Sequence, residues 1–204
     1  MHISGIASIL THLIRRHITL IVTMMVWTLN VDARSDTATP GTQREKMRQA
    51  RFIAYTDMDS AALLLDDVIR QCREHSFYSE LFEAYFLQGA IYVNLTEYEK
   101  AKENYFRALR LSVHTTDPNK NLCRTFNNLG NVYQFQGDFP QAAHYYYNAA
   151  RAAMPYARND SIIQDQLIRI YNNISYSLIQ MKQYNKALYY LKKADTLAER
   201  GSFF

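Results

Sequence analysis

The chain has 204 residues, 48% hydrophobic and 21% charged, which is long enough for a sizeable core and too apolar for a disordered segment. Its formal net charge is only +4 and the basic residues are spread along the sequence, which excludes the concentrated cationic face of a nucleic-acid binder. Two cysteines are too few for a disulfide scaffold or a cysteine-rich metal module.

In chain order, the first feature is a leader. Arg15 and Arg16 precede Ile18–Leu29, twelve residues without a charge, and Val31-Asp32-Ala33 follows with small side chains at the places of a cleavage site. This order predicts a secretory signal peptide over 1–33 with cleavage after Ala33. The alternative is an uncleaved N-terminal anchor that tethers the chain to a membrane through residues 18–29, although a span ordinarily needs about 20 residues. Either way the expected location is the bacterial envelope: periplasmic or outer envelope after cleavage, inner-membrane anchored without it. Residues 34–43, rich in Ser, Thr, Asp, Pro and Gly, read as a flexible lead-in.

From 44 to 204 one pattern recurs. Phe126, Gly130 and Tyr133 lie on one face of a 3.6-period helix, Gly137-Asp138 breaks the chain, and Ala142, Tyr146 and Ala149 share a face of the next helix. The pattern appears earlier as Tyr85, Gly89, Tyr92, Ala101, Tyr105 and Ala108. It appears later as Tyr171, Ser175, Leu178, Ala187, Leu191 and Ala194. A fainter first copy carries Phe52, Met58, Ala61, Leu65 and Val68, with Gln49 at the place of the glycine. Equivalent alanines are 40, 41 and 45 residues apart (Ala61, Ala101, Ala142, Ala187). Small residues suit the close crossing of two helices, and the aromatics fill the wider gaps between hairpins. The expectation is an all-α superhelix, a solenoid of stacked antiparallel helical hairpins, with these aromatics in its core.

The pattern resembles the tetratricopeptide repeat family, whose unit of about 34 residues has a large residue, Leu-Gly and Tyr on helix A, and Ala, an aromatic and Ala on helix B. The resemblance implies four repeats, about 42–75, 82–115, 123–156 and 168–201. The excess over the family's unit falls around Val113–Asn121 and Pro155–Ser161. The sequence there predicts a long helix B or long loops, with new helices starting at Asp117-Pro118 and at Asp160 or Ser161. Similar exported arrays in Bacteroidetes-type bacteria often continue into a membrane helix, a coiled coil and a DNA-binding module. By that resemblance the chain looks like the sensor portion alone, or a shortened relative of it.

Nothing in the pattern points to catalysis, to a metal or to a cofactor. His75, His114 and His144 fall on different hairpins, without His-x-x-x-His or Cys-x-x-Cys spacing. Asp57, Asp59, Asp66 and Asp67 read as a helix cap and a solvated face. Arg44, Lys46, Arg48 and Arg51 make a small basic patch on the first helix. Cys72 and Cys123 are a whole repeat apart, so two reduced, partly buried thiols are expected.

What the resemblance implies instead is a peptide-binding groove on the concave surface formed by the helices A. Repeat two contributes Glu83, Phe86, Leu87, Ala90, Val93 and Asn94. Repeat three contributes Arg124, Asn127, Asn128, Asn131, Gln134 and Phe135. Repeat four contributes Arg169, Asn172, Asn173, Tyr176, Ile179 and Gln180. The last two sets open with Arg and an Asn-Asn pair. Amides suit an extended peptide's N–H and C=O groups, and guanidinium forks suit carboxylates. The expected function is therefore non-enzymatic binding of a protein or peptide. The rival is a self-associating or membrane-complex scaffold. Repeat four would expose Tyr189, Tyr190 or Leu191, so a homodimer through the C-terminal repeat is a further expectation.

Overall fold

The computed structural model describes residues 38–157 and 160–201, apart from the side chains of Arg200 and Gly201. The signal or anchor segment expected over 1–33 lies outside the described residues. So does the region before residue 38 of the lead-in.

Residues 38–42 belong to one compact unit and residues 43–204 to another. In the first, Thr39 and Thr42 exchange hydrogen bonds: Thr39 N–H donates to Thr42 Oγ1 at 3.0 Å and Thr42 N–H to Thr39 Oγ1 at 3.1 Å. This reciprocal cap, with Pro at the next position, starts a helix inside the expected lead-in.

Among the described residues there are eight α-helices. They are α1 Pro40–Ile53, α2 Met58–Glu74, α3 Tyr78–Asn94, α4 Tyr98–Leu111, α5 Pro118–Phe135, α6 Phe139–Ala153, α7 Ser161–Gln180 and α8 Tyr184–Gly201. The described residues contain no strand. The helices pack as antiparallel hairpins, α3 with α4, α5 with α6 and α7 with α8, and successive hairpins stack. This is the expected all-α solenoid. Its core runs through the stack in three adjoining clusters, centred on Leu65 and Phe82, on Tyr105 and Leu129, and on Tyr146 and Ile174.

The repeat pattern has a direct packing reason. A Cβ placed on Gly89 would come within 2.8 Å of the Tyr105 ring, and one on Gly130 within 2.5 Å of the Tyr146 ring. Each glycine therefore makes the room its own hairpin's tyrosine fills. Repeat four has Ser175 in that place and Leu191 opposite it. The Ser175 hydroxyl, buried, lies 2.8 Å from Tyr171 O and 3.2 Å from Ala187 O, and Leu191 stays at the surface. Tyr85, Tyr105, Tyr146, Tyr171, Ala101, Ala108, Ala142, Ala149, Ala187 and Ala194 are buried, as the pattern predicts. Tyr92, Phe126 and Tyr133 are half-buried between repeats.

The first repeat differs by one residue. Its helix connection runs from Ala54 to Asp57 without a left-handed residue, against Leu95–Glu97 with left-handed Thr96 in the second, and its register differs. Ala50, not Gln49, is the buried small residue, and Ile53, not Phe52, packs on the core; Phe52 is 79% exposed. The additional length of the later repeats also lies elsewhere than helix B alone. Helices α5 and α7 begin five and seven residues before the expected repeat starts, at Pro118 and Ser161, and the preceding connections account for the rest. Asp117-Pro118 and Asp160 do start those helices. Asp160 caps α7 by accepting from Ile162 and Ile163 N–H.

Among the described residues, four three-residue connections carry a left-handed residue at their centre: Ser76 (φ 58°), Thr96 (φ 60°), Gly137 (φ 76°) and Lys182 (φ 59°). After each, an N–H reaches back five residues to a helical carbonyl, for example Glu97 to Tyr92 O at 2.9 Å and Asp138 to Tyr133 O at 2.9 Å. These bonds satisfy the last carbonyls of the helix and fix the reversal.

Candidate functional site

The face built by α1, α3, α5 and α7 is where the sequence places a groove. Its polar residues fall into two groups, those held by the stack and those open to a partner.

The first steps of the face are bridged internally. Glu83 on α3 holds the Arg124 fork of α5 at 2.6 and 3.1 Å, and Arg51 of α1 reaches the same carboxylate at 3.7 Å. Arg124 also lies over the Phe86 ring, 4.3 Å from its centroid, and donates to Asn121 Oδ1 at 3.2 Å. The expected carboxylate-binding role of Arg124 is thus filled by the chain's own Glu83. Arg44 pairs with Glu80 and Lys46 with Asp67, and Arg48 with Glu45, so the basic patch is neutralised in place. A cleft of about 260 Å³ lies here, with both signs of charge in its wall (Arg44, Glu80, Glu83, Lys120, Arg124).

Several of the expected groove amides serve the fold. The buried Tyr146 hydroxyl donates to Asn131 Oδ1 at 2.7 Å and lies 3.1 Å from Gln134 Oε1; burial pushes its pKa up. Asn131 in turn donates to Asn128 at 3.4 Å. Asn173 Nδ2 donates to Asn127 Oδ1 at 3.3 Å, a weak link between α7 and α5.

Between α5 and α7 the face is open. A cleft of about 200 Å³ is lined by Phe86, Cys123 and Ile170 on its apolar side. Arg124, Asn127, Asn128, Gln166 and Arg169 form the polar side. Arg169 is exposed and makes no ion pair or hydrogen bond among the described residues, and neither does Asn172. Tyr176, 46% exposed, meets Phe139 of the preceding hairpin edge-on at 6.1 Å. Residues 169, 172, 173 and 176 share one face of α7, since helical positions three, four and seven apart align.

The cysteines are both buried and unpaired with each other. Burial raises Cys72 to about 12 and Cys123 to about 11, so neither is a poised nucleophile. Among the described residues no group of acidic, His and Cys side chains is arranged to hold a metal. Asp57 caps α2 as expected, accepting from Ser60 N–H at 3.0 Å.

Two features escape the sequence pattern. Glu83 and Arg124 occupy the same place in consecutive repeats, and laterally stacked like positions are neighbours; an acid and a base there are the signal of an inter-repeat ion pair. Gln166 lines the cleft from the part of α7 that precedes the expected repeat.

The membrane tether expected through residues 18–29 finds no support in the structure. No helix among the described residues is long and apolar enough to cross a membrane, and residues 18–29 themselves lie outside them. At the other end, Tyr189 (54%) and Leu191 (37%) are exposed as expected, whereas Tyr190 is partly buried against Tyr147 and Tyr171, with ring centroids 5.5 and 5.6 Å apart.

A stack of helical hairpins with a half-neutralised polar face defines a repeat scaffold. Tetratricopeptide repeat models match residues 80–154 and 168–200, and the chain belongs to the tetratricopeptide repeat family. That family is non-catalytic, in keeping with a binding role. A comparison with curated proteins returned no match. Among solved structures, the chain is similar to the apo form of RapI (TM-score 0.71, 16% identity, 92% of this chain and 67% of that one). It is also similar to aspartyl phosphate phosphatase F from Bacillus subtilis (0.70, 16%, 79% and 41%). A third is NprR in complex with its cognate peptide NprX (0.56, 18%, 74% and 43%). The chain spans less than half of the last two. At these identities the likeness concerns the fold.

Proposed function

We propose that the chain is a non-enzymatic binding module that takes an extended peptide or protein segment across the face of α5 and α7. The observation that carries this reading is the contrast along that face. Glu83, Arg51 and Arg124 bridge α1, α3 and α5, whereas Arg169, which lines the cleft, and Asn172, next to it on the same face of α7, have no partner among the described residues. An amide can donate to and accept from a peptide backbone at once. A peptide-bound relative in fold, NprR with NprX, is in keeping with the reading.

The test is selection from a randomised peptide library on the parent chain and on the double variant Asn127→Ala, Asn172→Ala. The double variant should lose capture, by about 1–3 kcal/mol for each desolvated contact removed, and melt near the parent temperature. A double variant that unfolds, or one that captures the same peptides equally well, contradicts the groove. Equal capture would favour the scaffold alternative, in which a protein assembly docks on the exposed Tyr184, Leu188 and Tyr189 of α8. Export belongs to the same reading and rests on the order of residues 15–33. Native material beginning at Arg34 supports it, and a retained Met1 counts against it.

A further inference from the structure

Helix α7 presents its open side chains in a fixed order: Arg169 toward its start, Asn172 and Asn173 in the middle, Tyr176 one turn further on. Helix α5 repeats the order with Arg124, Asn127, Asn128 and, near its end, Phe135, which is 56% exposed and stacks on Tyr98 at 6.2 Å. The face is therefore graded across its width. One margin is cationic and holds the cleft; the other is aromatic.

Of the two cations that line this cleft, Arg124 and Arg169, one is uncompensated among the described residues. The Arg124 fork is filled by Glu83, and Asp165, one turn before Arg169, makes no ion pair with it among the described residues. Arg169 therefore leaves an uncompensated positive charge at the cleft. The floor below it, Phe86, Cys123 and Ile170, is apolar, which suits the methylene stem of a side chain that ends in a carboxylate. The volume, about 200 Å³, is that of one side chain and not of a folded element.

The spacing adds a constraint. Seven residues of helix separate Arg169 from Tyr176, about 10 Å along the axis at 1.5 Å per residue. A strand crossing α7 at Asn172 and Asn173 points alternate side chains to opposite margins. Neighbouring residues of such a strand face opposite ways, and residues two apart face the same way.

We infer that the α5–α7 step selects an extended segment in which a Glu or Asp side chain, seated in the cleft against Arg169, adjoins an aromatic or large aliphatic residue laid on Tyr176. The inference rests on the groove reading above and narrows it to an acidic-apolar pair at odd spacing.

The test uses the full chain and a randomised peptide library, prepared once with free and once with amidated C-termini. Enrichment of Glu or Asp directly beside Phe, Tyr, Leu or Ile in both preparations is the expected result. Replacing the selected Glu by Gln should weaken binding by roughly tenfold, as for a lost charged hydrogen bond. Arg169→Ala should erase the difference between the Glu and Gln peptides, and Arg169→Lys should restore part of it. The exposed position of Arg169 lets both variants keep the parent melting temperature. Selection confined to free C-termini would assign the carboxylate to a chain end and overturn the side-chain assignment. Enriched peptides with no acidic residue, or with acid and aromatic two apart, would overturn the inference and leave the groove standing. No enrichment of any peptide would sink the groove reading and this inference together.

Discussion

At the scale of single residues, the fold is set by reciprocal sizes. Gly130 and Tyr146 are one unit: the ring occupies the space a Cβ would need, and its hydroxyl is held by Asn131. Because the ring is fully buried and hydrogen-bonded, it cannot swing aside. Gly130→Ala should cost about 1–3 kcal/mol in urea unfolding, with Gly89→Ala less severe, since its clearance is larger and the Tyr105 hydroxyl makes no hydrogen bond among the described residues. Parent-like unfolding of the Gly130 variant would contradict the packing. The groove asparagines separate by the same measurement. Asn131→Ala removes an acceptor from a buried hydroxyl and should cost about 1 kcal/mol, while the exposed Asn172→Ala should cost almost nothing. Sequence reasoning put both on one binding face because helical spacing shows which side chains share a stripe. It does not show that Tyr146, fifteen residues on, reaches back to one of them.

At the scale of elements, the connections decide the register. Thr96 stands in a left-handed conformation, φ 60°, that a β-branched residue adopts at a cost and glycine does not. Thr96→Gly should therefore raise stability by about 0.5–1 kcal/mol, against the usual penalty of introducing glycine; a destabilised variant would contradict the turn geometry. The first hairpin shows what one residue does. Its connection lacks the left-handed residue that Thr96, Gly137 and Lys182 supply in the other hairpins, and the buried small residue is at 50 and not 49, the core aliphatic at 53 and not 52. Counting back from Ala61 misses this, because a count assumes that every turn has the same geometry. Asp117-Pro118 and Asp160, by contrast, were legible as starts, since Pro and a capping Asp carry their own local chemistry. The ion pair of Glu83 with Arg124 links α3 to α5 at two partly exposed groups, and Glu83→Gln should loosen that step by no more than about 1 kcal/mol.

At the scale of the whole molecule, the solenoid was readable because a 40- to 45-residue recurrence of small and aromatic residues has few other solutions. The distribution of charge over its face was not, since it depends on which like positions stack. The buried thiols and phenols give the molecule a pH dependence of definite sign. Burial raises Cys123 to about 11 and Cys72 to about 12, above their ordinary 9.0, and raises Tyr92, Tyr105, Tyr145, Tyr146 and Tyr171 above 10.0. Above pH 9 the unfolded chain releases protons that the folded chain retains, so stability falls as pH rises. Thermal melting should be level just below pH 9 and decline through pH 9 to 12; a rise over that interval would contradict the burial of these groups. The central claim is that a partner lies across α5 and α7. Backbone and side-chain amide shifts, followed by NMR as a library-selected peptide is added, test it most directly. The account predicts that Asn127, Arg169, Asn172 and Tyr176 move first and furthest. Shifts confined to the second helices of the hairpins, at His144, Asn148 or Lys192, with α5 and α7 unmoved, would contradict it.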